Sequence, residues 1–276
     1  MSVGSDAGEP AGAAIGVFDS GIGGLSVLAA LRTELPHENF VYFADAGHAP
    51  YGERDEAHAA RRSIAVAREL LAAHRIKALV VACNTATAAA IHLLRQTYPS
   101  LPLVGVEPAL KPAVAASRTH RIAVLATRGT VTSRKFEALR ESLAGKAEFV
   151  VVACDGLATA VEQGDAMAIA ALCARYVAEA GRFGTEPGEV DTLVLGCTHY
   201  PLVANVLRQH TGPDVRFFET GQPVAQHTRR LLAAAGLLSA QETPGTLTLT
   251  GSGDTEALRA AAARWLSAVP ATGVAA

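Results

Sequence analysis

Cys83 lies in the segment LVVACNTAT (residues 79–87) and Cys197 in TLVLGCTHY (residues 192–200). Each cysteine follows an apolar run and a small residue. Polar side chains come next: Asn84 and Thr85 after the first cysteine, Thr198 and His199 after the second. A cysteine just past a buried strand, where a helix opens, faces backbone N–H groups that favour an anion. The same field favours a thiolate. Two such thiols in one pocket could invert a carbon acid such as an amino-acid α-carbon. One, as thiolate, takes a proton from one face; the other, as thiol, delivers a proton to the opposite face. Thiols tuned towards neutrality suit both roles. Asn84, Thr85 and Thr198 supply donors for the carboxylate into which charge would move. His199 could relay a proton or keep Cys197 deprotonated, and Asp19 could serve the other thiol similarly.

The elements that must position these residues follow from the hydrophobic pattern. Short β-branched runs predict strands at Ile15–Phe18, Phe40–Phe43, Leu79–Ala82, Leu103–Val106, Ile122–Leu125, Phe149–Val152, Leu193–Leu195, Val215–Phe218 and Leu247–Thr250. Between them, stretches such as Arg54–His74 and Arg134–Leu143 carry apolar residues at helical spacing. Strands alternating with helices imply parallel sheets with right-handed crossovers, so the expected architecture is doubly wound α/β. Ligands in such folds sit at the carboxyl ends of the strands. Those ends carry Asp19–Ser20, Ala44–Asp45, Cys83–Asn84–Thr85, Glu107–Pro108, Thr127 and Cys197–Thr198–His199. The likeness of the two cysteine segments suggests two similar α/β domains facing a shared cleft. We expect a disordered leader over residues 1–14, a first domain over 15–107 plus 221–276, and a second over 108–220.

Composition excludes several classes. The chain has 276 residues, half of them hydrophobic, with a net charge of -2 and no basic stripe, so nothing points to nucleic acid. No apolar run is long enough to span a bilayer, and the first residues lack the features of a signal peptide. The expected location is the cytosol, where Cys83, Cys154, Cys173 and Cys197 stay reduced. The four lysines, Lys77, Lys111, Lys135 and Lys146, avoid the pocket motifs, which argues against a Schiff-base cofactor. The run GIGG (residues 21–24) fits neither the dinucleotide nor the phosphate-loop template. Its glycines are expected to let the backbone approach a small ligand. Cys83, Cys197 and His199 lack a recognised zinc spacing. Cys154 and Cys173 are expected in the core, and the charged face of residues 53–75 in solvent.

Six motifs in order carry a family resemblance: IGVFDSGIGGLSVL (15–28), YFADAGHAPYG (42–52), VVACNTAT (80–87), PLVGVEPALKPA (102–113), VLATRGTVTS (124–133) and LVLGCTHYPLV (193–203). The segment GSGDTEAL (251–258) resembles the closing segment of the same family. The chain thereby resembles the bacterial glutamate racemases of the aspartate/glutamate racemase superfamily. The resemblance implies L/D-glutamate interconversion without cofactor or metal, D-glutamate for peptidoglycan synthesis, and a homodimer. It implies that Cys83 and Cys197 are the proton donor/acceptor pair. Cys83 would handle the α-proton of the D-enantiomer, and Cys197 that of the L-enantiomer. Asp19 and His199 would assist them. Asp19, Ser20, Tyr51, Gly52, Asn84, Thr85, Thr198 and His199 would surround the substrate, with Asp45 and Glu162 as nearby acids.

Asp155–Gly156 depart from the family pattern, which has proline or an apolar residue after the cysteine, and FETGQPVA (218–225) departs from a more usual Asp-Ser-Gly form. Residue by residue, simpler readings stay open: Asp19 as a helix N-cap, Tyr51–Gly52 as an ordinary turn. Competing functions are an aspartate or hydantoin racemase, a non-catalytic amino-acid-binding or regulatory protein, and a thiol redox protein.

Overall fold

The computed structural model describes residues 12–268, so residues 1–11 of the expected leader and residues 269–276 lie outside the described residues. All nine expected strands form, each within a residue or two of its predicted bounds: β1 (Ile15–Asp19), β2 (Phe40–Ala44), β3 (Ala78–Val81), β4 (Leu103–Gly105), β5 (Arg121–Ala126), β6 (Glu148–Ala153), β7 (Thr192–Leu195), β8 (Arg216–Phe218) and β9 (Leu247–Gly251). The helices are α1 (Leu25–Glu34), α2 (Glu56–His74), α3 (Asn84–Thr97), α4 (Leu110–Ala116), α5 (Arg128–Val131), α6 (Arg134–Glu141), α7 (Leu157–Gln163), α8 (Ala166–Glu179), α9 (Ala204–Thr211), α10 (Gly221–Ala234) and α11 (Thr255–Ala268).

Local chemistry sets the helix bounds. The helix expected from Arg54 starts at Glu56 because the Asp55 side chain accepts the His58 N–H at 2.6 Å, capping α2. It ends where Arg75 turns into the left-handed region at φ 46°. Ser133 caps α6 in the same way, accepting the Phe136 N–H at 3.1 Å.

The strands form two all-parallel sheets, in the orders β4-β3-β1-β2-β9 and β6-β5-β7-β8. Reversed, the second sheet reads β8-β7-β5-β6, the same winding as β4-β3-β1-β2. The two halves therefore share one topology, β3 corresponds to β7, and the cysteines that follow those strands occupy corresponding places. Each sheet is buried on both faces, as parallel sheets require. In β1, Ile15 and Val17 enter one apolar cluster while Phe18 enters another. In β5, Ala123 and Leu125 face one cluster, Ile122 and Val124 the other. The period of two along each strand leaves the strand ends free to carry polar residues.

Candidate active site

Cys83 follows β3 and caps α3; the Ala86 N–H points at its Sγ at 3.5 Å. Cys197 follows β7 at the corresponding place in the second half. Both line one cavity, together with Ser20, Tyr51, Gly52, Asn84, Thr85, Glu162, Thr198 and His199. The structure thus gathers every expected substrate-contacting residue at one place except Asp19, which lies just behind. Asp45 stands further back and Glu107 outside.

Asp19 is fully buried at the end of β1. It accepts the Gly21 N–H at 2.8 Å and the Thr198 hydroxyl at 3.0 Å, so it ties the two halves together. Burial raises its pKa to about 6 against the opposing charge of His199. His199 places Nδ1 3.6 Å from Cys197 Sγ and Nε2 2.5 Å from Glu162 Oε1. Burial disfavours its charge, but the bonds to Cys197 and Glu162 outweigh burial and raise its pKa well above the usual value. Glu162, on α7, also accepts the Ile22 N–H at 2.7 Å, and although burial opposes its charge, His199 holds the carboxyl below its ordinary value.

Two expectations need correction. Helix-terminal N–H groups were expected to favour a thiolate at Cys83, but burial, reinforced by the charge of Asp19, pushes that thiol up. The long Ala86 contact and Ser20, 3.8 Å away, do not offset the lost water. Asp19 therefore disfavours a charge on Cys83 rather than promoting it. The GIGG glycines also serve a different purpose. A Cβ at Gly21 would lie 1.9 Å from Glu162 Oε1, and one at Gly23 2.4 Å from His199 Nδ1. These glycines make room for the acid–imidazole pair of the second half, not only for a ligand.

Asp45 is buried behind the pocket and bonds four side chains, one of them His48 through Nδ1 at 3.1 Å. Arg62 donates through Nε and Nη2, both at 2.9 Å, and Ser252 donates at 2.6 Å. The Tyr51 hydroxyl donates to the second oxygen. Burial opposes the charge, but Arg62, Ser252 and Tyr51 hold the carboxyl below its usual range. Asp45 thus anchors the Tyr51–Glu53 turn, whose Tyr51 and Gly52 form one wall. Glu107 is exposed and pairs with Lys135, so its place after β4 is a surface one.

Thr85 and Thr127, both expected near the strand ends, line the cavity and form a triangle of hydroxyls with Thr130, with separations of 3.0, 3.0 and 3.4 Å. Sequence reasoning missed other parts of the lining. Cys154, expected in the core, is buried but also lines the cavity. It follows β6 as Asp45 follows β2, so the internal repeat could have flagged it. Glu53, Arg128 and Asp155 line the rim. The Asn84 side-chain amide is buried with neither its oxygen nor its nitrogen hydrogen-bonded, which marks it as a donor and acceptor awaiting a polar ligand. Asp19, Glu162 and His199 come close enough to one another to hold a cation. Their polar atoms are instead engaged by the bonds described above.

Two like-wound α/β halves with a thiol from each at one cleft define a class of protein, and comparison with known sequences places the chain in it. A profile of the Asp/Glu/Hydantoin racemase family matches residues 25–228, and the chain belongs to that family. It is 48% identical over 254 residues to the glutamate racemase of Methylococcus capsulatus, covering 91% of each chain. It is 44% identical to the glutamate racemase of Pseudomonas syringae pv. tomato, covering 85% of this chain and 84% of that one. Among solved structures it resembles the Bacillus anthracis glutamate racemase isoform RacE1, with TM-score 0.80 and 31% identity over 92% of this chain and 94% of that one. The Thermus thermophilus glutamate racemase in complex with β-chloro-D-alanine gives 0.75 and 35%, over 93% and 94%.

Proposed function

We propose that this protein interconverts L- and D-glutamate by a two-thiol mechanism that needs no cofactor. The observation that carries the reading is the pairing of Cys83 and Cys197, on corresponding strands of two like halves, in one cavity that also holds an unsatisfied amide. The names of the relatives supply the substrate.

Binding begins with charge. The buried carboxylates of Asp19 and Glu162 favour the α-ammonium group, with Ser20 beside it. Asn84 and Thr85 donate to the α-carboxylate, where the negative charge builds as the proton leaves. From L-glutamate, the Cys197 thiolate takes the α-proton, forming its S–H bond as the C–H bond breaks. The electron pair delocalises into the carboxylate. The Cys83 thiol then gives its proton to the opposite face and becomes the thiolate. The reverse reaction exchanges the roles. Burial and the charge of Asp19 favour the protonated form of Cys83, the form that donates a proton in the L-to-D direction. His199, linked to Cys197 and oriented by Glu162, resets the second thiol.

The D-glutamate would feed peptidoglycan synthesis in the cytosol, from a homodimer. Among the described residues no helix is long and apolar enough to cross a membrane.

The test is proton NMR in deuterium oxide with L-glutamate and no added cofactor. Loss of the α-proton signal together with loss of optical activity is expected. Cys83→Ala and Cys197→Ala should each lower racemisation by at least about 10³-fold. Exchange with L-aspartate alone would move the reading to the sister activity, and full racemisation by either variant would remove the two-thiol mechanism.

A further inference from the structure

The cavity that holds Cys83 and Cys197 has a volume of about 30 Å³, room for about two water molecules. An amino acid is larger than that, so the cleft has to part before a ligand reaches the thiols. The walls that must part belong to different halves of the chain. Tyr51, Gly52 and Glu53 close the cavity from the first half, and Thr127, Cys154 and Asp155 from the second.

Hydrogen bonds cross the cleft at two depths. The deep ones join residues of the site itself: Thr198 to Asp19 at 3.0 Å, the Ile22 N–H to Glu162 at 2.7 Å, and Thr85 to Thr127 at 3.0 Å. At the mouth, the Glu53 carboxylate reaches over from the Tyr51–Glu53 turn. One of its oxygens accepts the Gly156 N–H at 3.1 Å and the Thr159 hydroxyl at 3.4 Å. Both bonds are exposed, and in solvent water replaces a lost hydrogen bond at little net cost. Such bonds make and break readily, as a moving part requires. Beside them the turn lies against the start of α5: a Cβ at Gly52 would stand 2.7 Å from Thr127 Cβ. On the far side of the cleft, the donor Gly156 sits in the segment that departs from the family pattern. Its φ of 78° is a left-handed conformation that glycine permits. Gly156 also begins α7, the helix that carries Glu162, the partner of His199. A bond at the start of α7 therefore seats the helix that orients the imidazole beside Cys197.

We propose that Glu53 is a latch across the mouth of the cleft. Bound to Gly156 and Thr159, it holds the two halves together over the thiols; released, it lets them part. Glu53 is a positioning residue, acting through the turn and α7 rather than on the reacting atoms. The inference concerns the opening of the cleft and holds whichever amino acid the cleft takes.

Thiol alkylation reads the opening directly. Iodoacetamide reaches Cys83, Cys154 and Cys197 while the cleft is open, and mass spectrometry of the peptides reports a rate for each. Cys173, fully buried on α8 and no part of the cavity lining, is the internal control. Glu53→Ala should speed labelling of the cavity thiols by about fivefold, with Cys173 unchanged. Glu53→Gln keeps the accepting oxygen and should stay within about twofold of the wild type. The two variants separate a latch from an effect of charge on thiol reactivity. Both lose the carboxylate charge, so equal acceleration in both overturns the proposal. Labelling of Cys173 in step with the others, the mark of a loosened fold, also overturns it, as does a rate in Glu53→Ala no faster than that of the wild type. Racemisation enters none of these readouts, so the latch and the glutamate reading fail separately.

Discussion

Asp19 and Asp45 stand at the ends of neighbouring strands, both fully buried, and their carboxyl groups are pushed in opposite directions. Asp19 is raised from 3.8 to about 6 by burial, so its contribution to stability is complete below pH 3.8 and is lost as pH rises through about 6. Asp45 is lowered, because Arg62, Ser252 and Tyr51 overcome its burial, so its contribution is present above 3.8 and is lost as pH falls through its depressed value. Denaturant titrations across pH 3–8 should show this: Asp19→Asn removes the loss of stability between about pH 4 and 6, and Asp45→Asn removes stability at neutral pH. Asp19 also accepts two hydrogen bonds in the ionised form, so kcat/KM for glutamate should fall on the acid side near pH 6, and Asp19→Asn should lose that limb. At this scale the sequence was most legible where chemistry and topology coincide. Cys83 and Cys197 stand out because a thiol at a strand end beside hydroxyls has no packing reason to be there. Arg128 and Asp155 do not, because an exposed ion pair 27 positions apart has no sequence pattern, and only the fold brings it to the rim. The upward push on the Cys83 thiol was not legible for a related reason: burial depends on everything packed around the thiol.

Turns and helix ends, more than the strands, decide how the site is built. The strands were legible because each is a short apolar run between polar or glycine-containing segments, and the register of a parallel sheet adds little that the pattern lacks. Tyr51 and Gly52 were expected around the substrate from the family resemblance, with an ordinary turn as the simpler reading, but the conformation of the Tyr51–Glu53 turn was not legible because it depends on Asp45 and Arg62. The loop between β1 and α1 was read only in part for the same reason: its glycines also answer to Glu162 and His199, far away in sequence. Gly23→Ala is the sharpest test. The added methyl would stand 2.4 Å from His199 Nδ1, so the ring must move away from Cys197. Racemisation should fall by about 10²-fold, as expected for a small misplacement at a reacting group, with the circular dichroism spectrum unchanged. Gly145→Ala offers the control. Its φ of 75° strains any residue with a Cβ, but nothing lies within 4 Å of the new methyl, so it should reduce stability by about 1 kcal/mol and spare activity.

Across the whole molecule, the ends of the sheets opposite the cleft are pinned by buried polar groups. Lys77, before β3, pairs at 2.5 Å with Glu38, before β2, and both side chains are almost fully buried. Glu38 also accepts the Ser239 N–H at 2.7 Å, which ties the segment after α10 under the first sheet. Glu38→Gln leaves an ammonium group buried against a neutral amide, so urea unfolding should show a loss of about 3 kcal/mol with racemisation per folded molecule intact. The two-sheet architecture was legible because the cysteine segments echo each other, although the echo alone does not say that β9 returns to the first sheet. That return has a consequence for the order in which the chain is made. β9 covers β2, with Leu247 beside Phe40. Until the ribosome has delivered the last part of the chain, the apolar strand FVYFA is a bare sheet edge, and such an edge invites pairing with a neighbouring nascent chain. Synthesis that stalls before β9 therefore leaves a nearly complete protein with its stickiest strand uncovered, and early termination should produce aggregate rather than a smaller soluble enzyme.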